Sequence, residues 1–357
     1  MRKSYPIVMC LKEMPMDSLE IAQFLMYLVL MIAIIAYATL DGFDLGVGCL
    51  HLFTKTDQER RIMINSIGPV WDGNSTWIVI GGGVLFAAFP KAFSILAPNL
   101  YTPFMFLLFG FMLRAAAIEF RSKKPSPAWR SFWDICFFSA SLILTVIIGV
   151  VLGNLIQGMP LNMKGEVEGG FLALLTPYTL TIGVLGISCF MMHGSIYVLM
   201  KTEGAFHEKI RRWTHLTIVF FLTMWLIASL MTFILQPQMV RPFILYPWLG
   251  FIPLLSLASI LAIPYLIKHR KDGLAFISSC LSIFLLLGLY LLGTIPFIVR
   301  STIDPAASLT FMNSSVSEFA LWILVGVSFT GAPLSFFYFP YIYRVFKGKV
   351  KLDRMSY

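Results

Sequence analysis

The chain has 357 residues, of which 58% are hydrophobic and 13% are charged, and its formal net charge is +9. The mean hydropathy of +0.81 and the long unbroken apolar runs exclude a soluble domain and a membrane β-barrel. The basic residues are divided among short loops, which argues against a nucleic-acid-binding surface. The five cysteines occur singly, so the sequence predicts neither disulfides nor a thiolate metal site.

Nine apolar runs are long enough to cross a bilayer as helices. We therefore predict an all-α polytopic membrane protein, a single transmembrane helical bundle over residues 1–357. No loop is long enough for a soluble domain, so the function is expected inside the membrane. The predicted spans lie near residues 19–50, 63–89, 95–120, 132–155, 172–200, 214–236, 246–267, 273–299 and 317–343.

The N-terminal residues do not resemble a signal peptide, because the apolar stretch after Lys3 is short and is broken by Pro6. Met16 is an alternative start, since the residues from Asp17 to Glu20 have the pattern of a helix N-terminus. Of the 27 Lys and Arg residues, 19 fall in the loops after spans one, three, five and seven or in the C-terminal tail. This positive-inside pattern predicts an outer N-terminus and a cytoplasmic C-terminus.

Several ionisable residues fall inside predicted spans. They are Asp41 and Asp44 in span one, Asp72 in span two, and Arg114 and Glu119 in span three. Asp41 and Asp44 are three residues apart and share a helix face. Buried carboxylates in membranes often relay protons, so one interpretation is a polar path opening to the cytoplasm. The alternative is a structural cluster in which Arg114 neutralises Asp44 or Asp72.

Small residues and a proline mark positions where helices pack closely or bend. Gly42 and Gly46 form a small-xxx-small ridge that lets another helix approach. The run Gly81–Gly83 lacks the Lys-Ser/Thr of a phosphate loop and is also predicted to serve helix packing. Pro69 removes one backbone hydrogen bond, so a bend is expected just before Trp71.

Histidines and aromatic residues bear on whether the chain holds a haem. His193 is clearly within a span, but a single intramembrane histidine is more typical of a hydrogen-bonded core residue than of a haem ligand. His51 lies near a predicted helix end and, like the other three histidines, is expected to be solvated or interfacial. Tyr343 is predicted to belong to an aromatic belt at a membrane boundary.

Two long motifs carry a resemblance to a known family. The segments Asp41 to Gly48 (DGFDLGVG) and Glu59 to Asn74 (ERRIMINSIGPVWDGN) resemble subunit II of the cytochrome bd quinol oxidases. Similarity extends along the whole chain and is densest before about Gly158. Further matching positions are Trp77, Gly81–Pro90, Arg114, Glu119–Lys123, Gly153–Gly158, Ser278–Ser279 and Pro296–Phe297.

The resemblance implies a haem-free accessory subunit of a bacterial inner-membrane oxidase that oxidises quinol and reduces dioxygen to water. Its heterodimer partner, subunit I, would carry the b-type haems and haem d. A small third subunit, membrane lipid and quinone are further expected partners, and nucleic acid is not. The chain itself is expected to bind no metal or haem and to hold no complete active site.

The resemblance also implies a cytoplasmic proton path toward the oxygen-reducing partner. The family's functional aspartate falls on Asp72, the acidic motif residues fall on Asp41 and Asp44, and the span-three arginine falls on Arg114. Glu119 is added to this path because its place in span three also falls in the cytoplasmic half of the membrane. The supporting residues are predicted to be Trp71, Asn74, Thr76 and His193.

The sequence departs from the family pattern at two places. The outer loop from Gln236 to Tyr246 is shorter than in some relatives, and Ser75-Thr76 stands where many have an acidic or amide residue.

A proton-coupled secondary transporter also uses buried carboxylates, although no pair of interrupted helices is evident. A membrane scaffold without a proton route is the third reading. Spans one and two are expected to face the partner, because Gly42 and Gly46 permit close approach.

Overall fold

The computed structural model describes residues 17–352. Within that range the chain is a bundle of helices with one two-stranded antiparallel sheet. The expectations about the signal peptide and the start at Met16 lie outside the described residues. The helices are α1 Ser18–Leu50, α2 Asp57–Ile67, α3 Trp71–Ala88, α4 Pro90–Asn99, α5 Tyr101–Phe120, α6 Pro127–Gln157, α7 Pro177–Lys201, α8 Gly204–Leu235, α9 Arg241–Leu245, α10 Phe251–Lys268, α11 Asp272–Thr294, α12 Phe311–Ser314 and α13 Glu318–Val345, and the strands are β1 Phe297–Val299 and β2 Leu309–Thr310.

Helix α1 begins where the sequence predicts a helix start. The Asp17 side chain accepts a hydrogen bond from the Glu20 N–H at 2.7 Å, and the Glu20 carboxylate accepts one from the Asp17 N–H at 3.3 Å. This reciprocal capping box satisfies two backbone donors that a helix end leaves unpaired. The helix then continues for 33 residues through the centre of the bundle.

The count of predicted spans agrees with the structure when one bent pair is treated as a unit. Eight described helices are long and apolar enough to cross a bilayer. A ninth crossing is obtained if α3 and α4 are combined, although these two helices meet at 120°. The prediction of an all-α polytopic membrane protein is therefore confirmed.

The second and third predicted spans have the wrong boundaries. The apolar run 63–89 is not one helix, because α2 ends at Ile67 and α3 begins only at Trp71. Pro69 lies in the intervening turn, where its missing N–H and fixed φ favour a break. The chain bends again before Pro90, the first residue of α4, so the span predicted to begin at residue 95 begins instead at Tyr101.

Two later boundaries also differ from the predicted ones. Helix α8 begins at Gly204 rather than near residue 214, because Lys209 and Arg211 on its first turns find partners in Glu59 and Asp272. Helix α11 ends at Thr294, and a turn followed by β1 takes the place of the last predicted helical residues up to 299.

The glycine ridge of α1 packs within the chain. A Cβ added to Gly46 would lie 1.7 Å from the Phe190 carbonyl oxygen on α7, and one added to Gly42 would contact the Phe190 ring at 2.8 Å. The two helices can approach this closely only without side chains at the crossing. The ridge is therefore occupied by α7, and the argument that it turns span one toward a partner is wrong.

The apolar core is divided along α1 into two clusters. One cluster surrounds Phe43 and includes residues of α7 and α11, and the other surrounds Tyr27 and includes residues of α12 and both strands. The acidic residues of α1 lie in the half of the helix that passes through the Phe43 cluster. Asp41 and Asp44 are thus enclosed by apolar packing and not by solvent.

Candidate functional site

Asp41 and Arg114 form an ion pair that is almost completely buried. Arg114 donates from Nη1 to Asp41 Oδ2 at 3.0 Å and from Nη2 to Asp41 Oδ1 at 2.8 Å. The Ser75 hydroxyl accepts a further hydrogen bond from Arg114 Nη2 at 2.6 Å and lies 3.2 Å from Asp41 Oδ1. This two-point geometry joins α1, α3 and α5 and compensates for the cost of burying both charges.

The identity of this pair corrects the sequence prediction. We expected a structural role for Arg114 to involve Asp44 or Asp72, but its carboxylate partner is Asp41. Ser75 was noted only as a departure from relatives, yet its hydroxyl bridges both members of the pair. The sequence could place all these residues at similar depth, but it could not give the rotation of each helix about its axis.

Asp44 has a different environment, although it lies one turn from Asp41. Its Oδ2 accepts a hydrogen bond from Asn74 Nδ2 at 2.8 Å, while its Oδ1 is buried without a hydrogen-bond partner. Among residues 17–352 no lysine or arginine forms an ion pair with it. A buried carboxylate that lacks a cation is a group that can hold and release a proton.

Asn74 is connected in turn to the last helix. The Tyr343 hydroxyl donates to Asn74 Oδ1 at 3.1 Å, which leaves the Asn74 amide group free to donate to Asp44. Tyr343 was predicted to lie in an interfacial aromatic belt, and the contact with the buried Asn74 corrects that prediction. The supporting role predicted for Asn74 has a clear geometric basis in this arrangement.

Asp72 and Thr76 are not part of this buried group. Asp72 is exposed. It lies two residues from the buried Asn74 and is therefore on nearly the opposite side of α3. Thr76 is also exposed, and its hydroxyl donates to the Asp72 carbonyl oxygen. Trp71 is half-buried against the core, and Glu119 is half-buried near the end of α5. The structure thus brings together Asp41, Asp44, Asn74 and Arg114.

His193 is held by the protein through both ring nitrogens. Its Nδ1 lies 2.7 Å from Ser279 Oγ, and its Nε2 lies 3.0 Å from the Thr39 carbonyl oxygen. The ring stacks on Phe276 with a centroid separation of 4.9 Å. These contacts fit the hydrogen-bonded core residue expected from the sequence, and they leave no nitrogen directed toward a haem iron.

A second buried charge cluster lies at the end of α1 and was missed in the sequence. His51 Nε2 is 2.6 Å from Asp134 Oδ1, and Arg121 Nε is 2.5 Å from the same oxygen. Arg60 donates to Asp134 Oδ2 at 2.8 Å. His51 is fully buried, so the prediction of a solvated side chain is wrong, and its interfacial depth stays a prediction. The sequence did contain one signal of this cluster, because Asp134 is an acidic residue within predicted span four.

This second cluster extends from buried to more exposed side chains. Arg121 also donates to Asp57 at 2.8 Å, and Asp57 accepts from Arg130 at 2.8 Å. Within residues 17–352, no group of three or more His, Cys, Asp and Glu side chains is arranged to hold a metal ion. The arrangement ties the ends of α1, α5 and α6 to α2 by charge pairing.

Comparisons with known proteins agree on one family. The family model for cytochrome bd terminal oxidase subunit II matches residues 22–346. The chain is 30% identical over 362 residues to cytochrome bd-I ubiquinol oxidase subunit 2 of Escherichia coli K12, covering 93% of this chain and 96% of that protein. It is 28% identical over 329 residues to cytochrome bd ubiquinol oxidase subunit 2 of Bacillus subtilis, covering 91% and 96%.

A solved structure has the same fold. A chain of the bd oxidase from Geobacillus thermodenitrificans superimposes with a TM-score of 0.76 at 15% sequence identity, covering 91% of this chain and 98% of that chain. At this identity the likeness concerns the fold alone.

The fold and the site define a polytopic helical membrane protein with ionisable side chains enclosed between its spans. The chain belongs to the cytochrome bd terminal oxidase subunit II family. It is therefore a multi-pass subunit of a haem-dependent terminal oxidase in the bacterial inner membrane and has a partner subunit. The alternative of a secondary transporter is wrong.

Proposed function

We propose that this chain is the haem-free subunit of a quinol-oxidising, oxygen-reducing complex and that it conducts cytoplasmic protons toward the partner. The b-type haems and haem d belong to subunit I in this proposal, where they supply electron transfer and oxygen reduction. The names of the relatives, which are ubiquinol oxidase subunits, support quinol as the electron donor. The contacts of His193 support the absence of haem from this chain.

The environment of Asp44 is the observation that carries the proton proposal. Asp41 is neutralised by Arg114 and serves as a fixed ion pair. Asp44 has one oxygen held by Asn74 and one buried oxygen without a partner. We assign the exchangeable proton to Asp44, while the Asp41–Arg114 pair sets the local field. Asn74 and Tyr343 orient the Asp44 carboxylate.

Asp72 is the proposed exit toward the partner. Asp72, Thr76, Val79, Gly83 and Phe86 follow one another at helical spacing and are exposed on one face of α3. A carboxylate facing lipid would be costly, so this face is expected to be covered by protein. Gly83 has no neighbouring atom within 4 Å of an added Cβ, which leaves room for another helix to approach closely. We therefore assign this face, and not the glycine ridge of α1, to subunit I.

The orientation with an outer N-terminus and a cytoplasmic C-terminus is part of the same proposal. The basic ends of α5, α8 and α10 lie on the side that the positive-inside rule assigns to the cytoplasm. Asp44 is then reached from the cytoplasmic half of the membrane. Glu119 is placed near the entrance, and a small third subunit stays a prediction.

The experiment that tests the proposal is purification of the tagged chain with and without its candidate partner. Reduced-minus-oxidised optical spectra and quinol-dependent oxygen uptake are measured for both preparations. Haem bands and oxygen uptake are expected only when the partner is present. Haem bands in this chain alone would contradict the assignment of all haems to subunit I.

A further inference from the structure

A groove between α1 and α8 changes from charged to apolar along its length. Its charged part, about 520 Å³ in volume, is lined by Phe53, Lys55, Lys209, Arg212 and Trp213. Its apolar part, about 250 Å³, shares Phe53 and Trp213 with the charged part. The other residues of the apolar part are Leu50, Met191, Leu216, Thr217 and Phe220. We call the two parts together the α1–α8 groove.

The length of the groove matches one leaflet of a bilayer. Lys209, Arg212, Trp213, Leu216 and Phe220 lie at helical spacing along one face of α8. From Lys209 to Phe220 the helix rises about 16 Å. The hydrocarbon core of a bilayer is roughly 30 Å thick, so the groove extends from the surface to about the midplane.

The charges of the groove fit an anionic headgroup. Glu59 neutralises Lys209 through contacts of 2.8 and 2.9 Å, and Lys209 also lies over the Trp213 ring at 5.1 Å. The side chains of Lys55 and Arg212 are exposed and form no hydrogen bond or ion pair with the described residues. Two cations beside an aromatic pair and above an apolar channel are complementary to a phosphate ester carrying an acyl chain.

We propose that the α1–α8 groove binds one phospholipid with an anionic headgroup. Its phosphate lies between Lys55 and Arg212, its glycerol region lies against Phe53 and Trp213, and an acyl chain follows Leu216 toward Phe220. The placement at the cytoplasmic surface uses the orientation proposed above. Anionic lipids are attracted to basic residues at that surface, at helix ends in particular.

The test uses the whole oxidase complex in vesicles of phosphatidylcholine with a trace of phosphatidylglycerol that carries a photoactivatable group on its acyl chain. After illumination, labelled peptides of this chain are mapped. We expect label on the segment from Leu216 to Phe220, and we expect unlabelled phosphatidylglycerol, but not phosphatidylcholine, to compete it away. Competition by both lipids alike would contradict binding of an anionic headgroup.

A charge-matched pair of variants separates the groove from general surface charge. Lys55→Gln with Arg212→Gln should reduce the labelling roughly thirtyfold, since each basic residue near the surface contributes about fivefold and the two factors multiply. Lys268→Gln with Lys271→Gln removes the same charge outside the groove and should leave the labelling within about twofold. Equal loss in both variants would overturn the proposal. So would cross-linking of the groove to the partner subunit with no lipid label, because the partner would then cover it.

Discussion

Asp41 and Asp44 lie one turn apart on α1, yet only Asp41 is paired with a cation. Both oxygens of Asp41 accept from Arg114, whereas Asp44 is bound by the neutral amide of Asn74 and keeps one oxygen without a partner. The guanidinium of Arg114 compensates for the cost of burying the Asp41 carboxylate, and Asp44 has no such cation. The proposed function therefore assigns the structural role to Asp41 and the proton-carrying role to Asp44.

The first prediction concerns the Asp41–Arg114 pair. Arg114→Met leaves Asp41 buried without its cation and should lower the stability of the complex by about 3–5 kcal/mol. The double variant Arg114→Met with Asp41→Leu removes both charges and should recover most of that loss. Thermal unfolding of the purified complex measures the effect. A double variant no more stable than the single one would contradict the pairing.

The second prediction concerns Asp72. Asp72→Asn keeps the size of the side chain and removes its ability to carry a proton, so the complex should assemble with normal haem content while oxygen reduction slows. Oxygen uptake per haem measures this effect. Ser94→Ala, on the other side of the bend between α3 and α4, is a control that should leave uptake unchanged. Unchanged turnover in assembled Asp72→Asn complex would remove Asp72 from the path.

The third prediction concerns the crossing of α1 and α7. Gly46→Ala places a methyl group against the Phe190 carbonyl oxygen, where an added Cβ would be only 1.7 Å away. The backbone at this crossing cannot move aside as a flexible side chain can. The yield of assembled complex should therefore fall severely. Gly288→Ala in α11 meets no atom within 4 Å and should be tolerated. Equal yields of the two variants would contradict the packing described here.

The fourth prediction concerns the second charge cluster. Asp134 accepts hydrogen bonds from Arg60 and Arg121 and contacts His51. Asp134→Asn removes the carboxylate of Arg60 and leaves Arg121 with Asp57 alone, so it should destabilise the complex by about 3 kcal/mol. Its effect on oxygen uptake per assembled complex should be small. A slowed turnover in fully assembled complex would instead assign this cluster to the proton path.

The fifth prediction is a dependence of stability on pH at the surface pair Glu59–Lys209. Burial opposes ionisation of Glu59, but hydrogen bonds from Lys209, Lys55 and Thr56 outweigh it and lower the pKa of this carboxyl below its ordinary value of 4.5. The pair therefore stabilises the fold above pH 4.5, and its contribution is lost as the pH falls through the lowered pKa. Lys209→Gln should reduce the unfolding midpoint slightly at pH 7 and by less at pH 3, where more of the Glu59 carboxyl is protonated. An equal effect at both pH values would contradict this account.

The sequence predicted the fold class because span length follows directly from bilayer thickness. It did not predict how apolar residues are divided between helices where the chain turns. The run 63–89 is apolar enough to be predicted as one span. Pro69 did predict a bend before Trp71, but the sequence did not show that one helix ends there and that the chain bends again before Pro90. Apolar composition indicates burial in lipid or protein, but it does not show whether a helix is broken at a proline.

Asp41, Asp44, Asn74 and Arg114 of the buried group were predicted from the sequence, but their pairings and the contacts of Ser75 and Tyr343 were not. Asp41 and Asp44 share a helix face, so depth alone could not decide which of them meets Arg114. Asp72 and Asn74 are two residues apart in the sequence but lie on opposite sides of α3. His51 was misplaced for a similar reason, since its position near a helix end gave no information about Asp134 on another helix.

The most direct test of the account is proton uptake by Asp44→Asn complex reconstituted with its partner in vesicles. Uptake from the cytoplasmic side is followed with a pH indicator during a single turnover of oxygen reduction. Asp44→Asn should assemble with an unchanged haem spectrum and take up protons roughly a hundredfold more slowly, and Asp44→Glu should retain most of the rate. Proton uptake by Asp44→Asn at the rate of the unaltered complex would contradict the central claim.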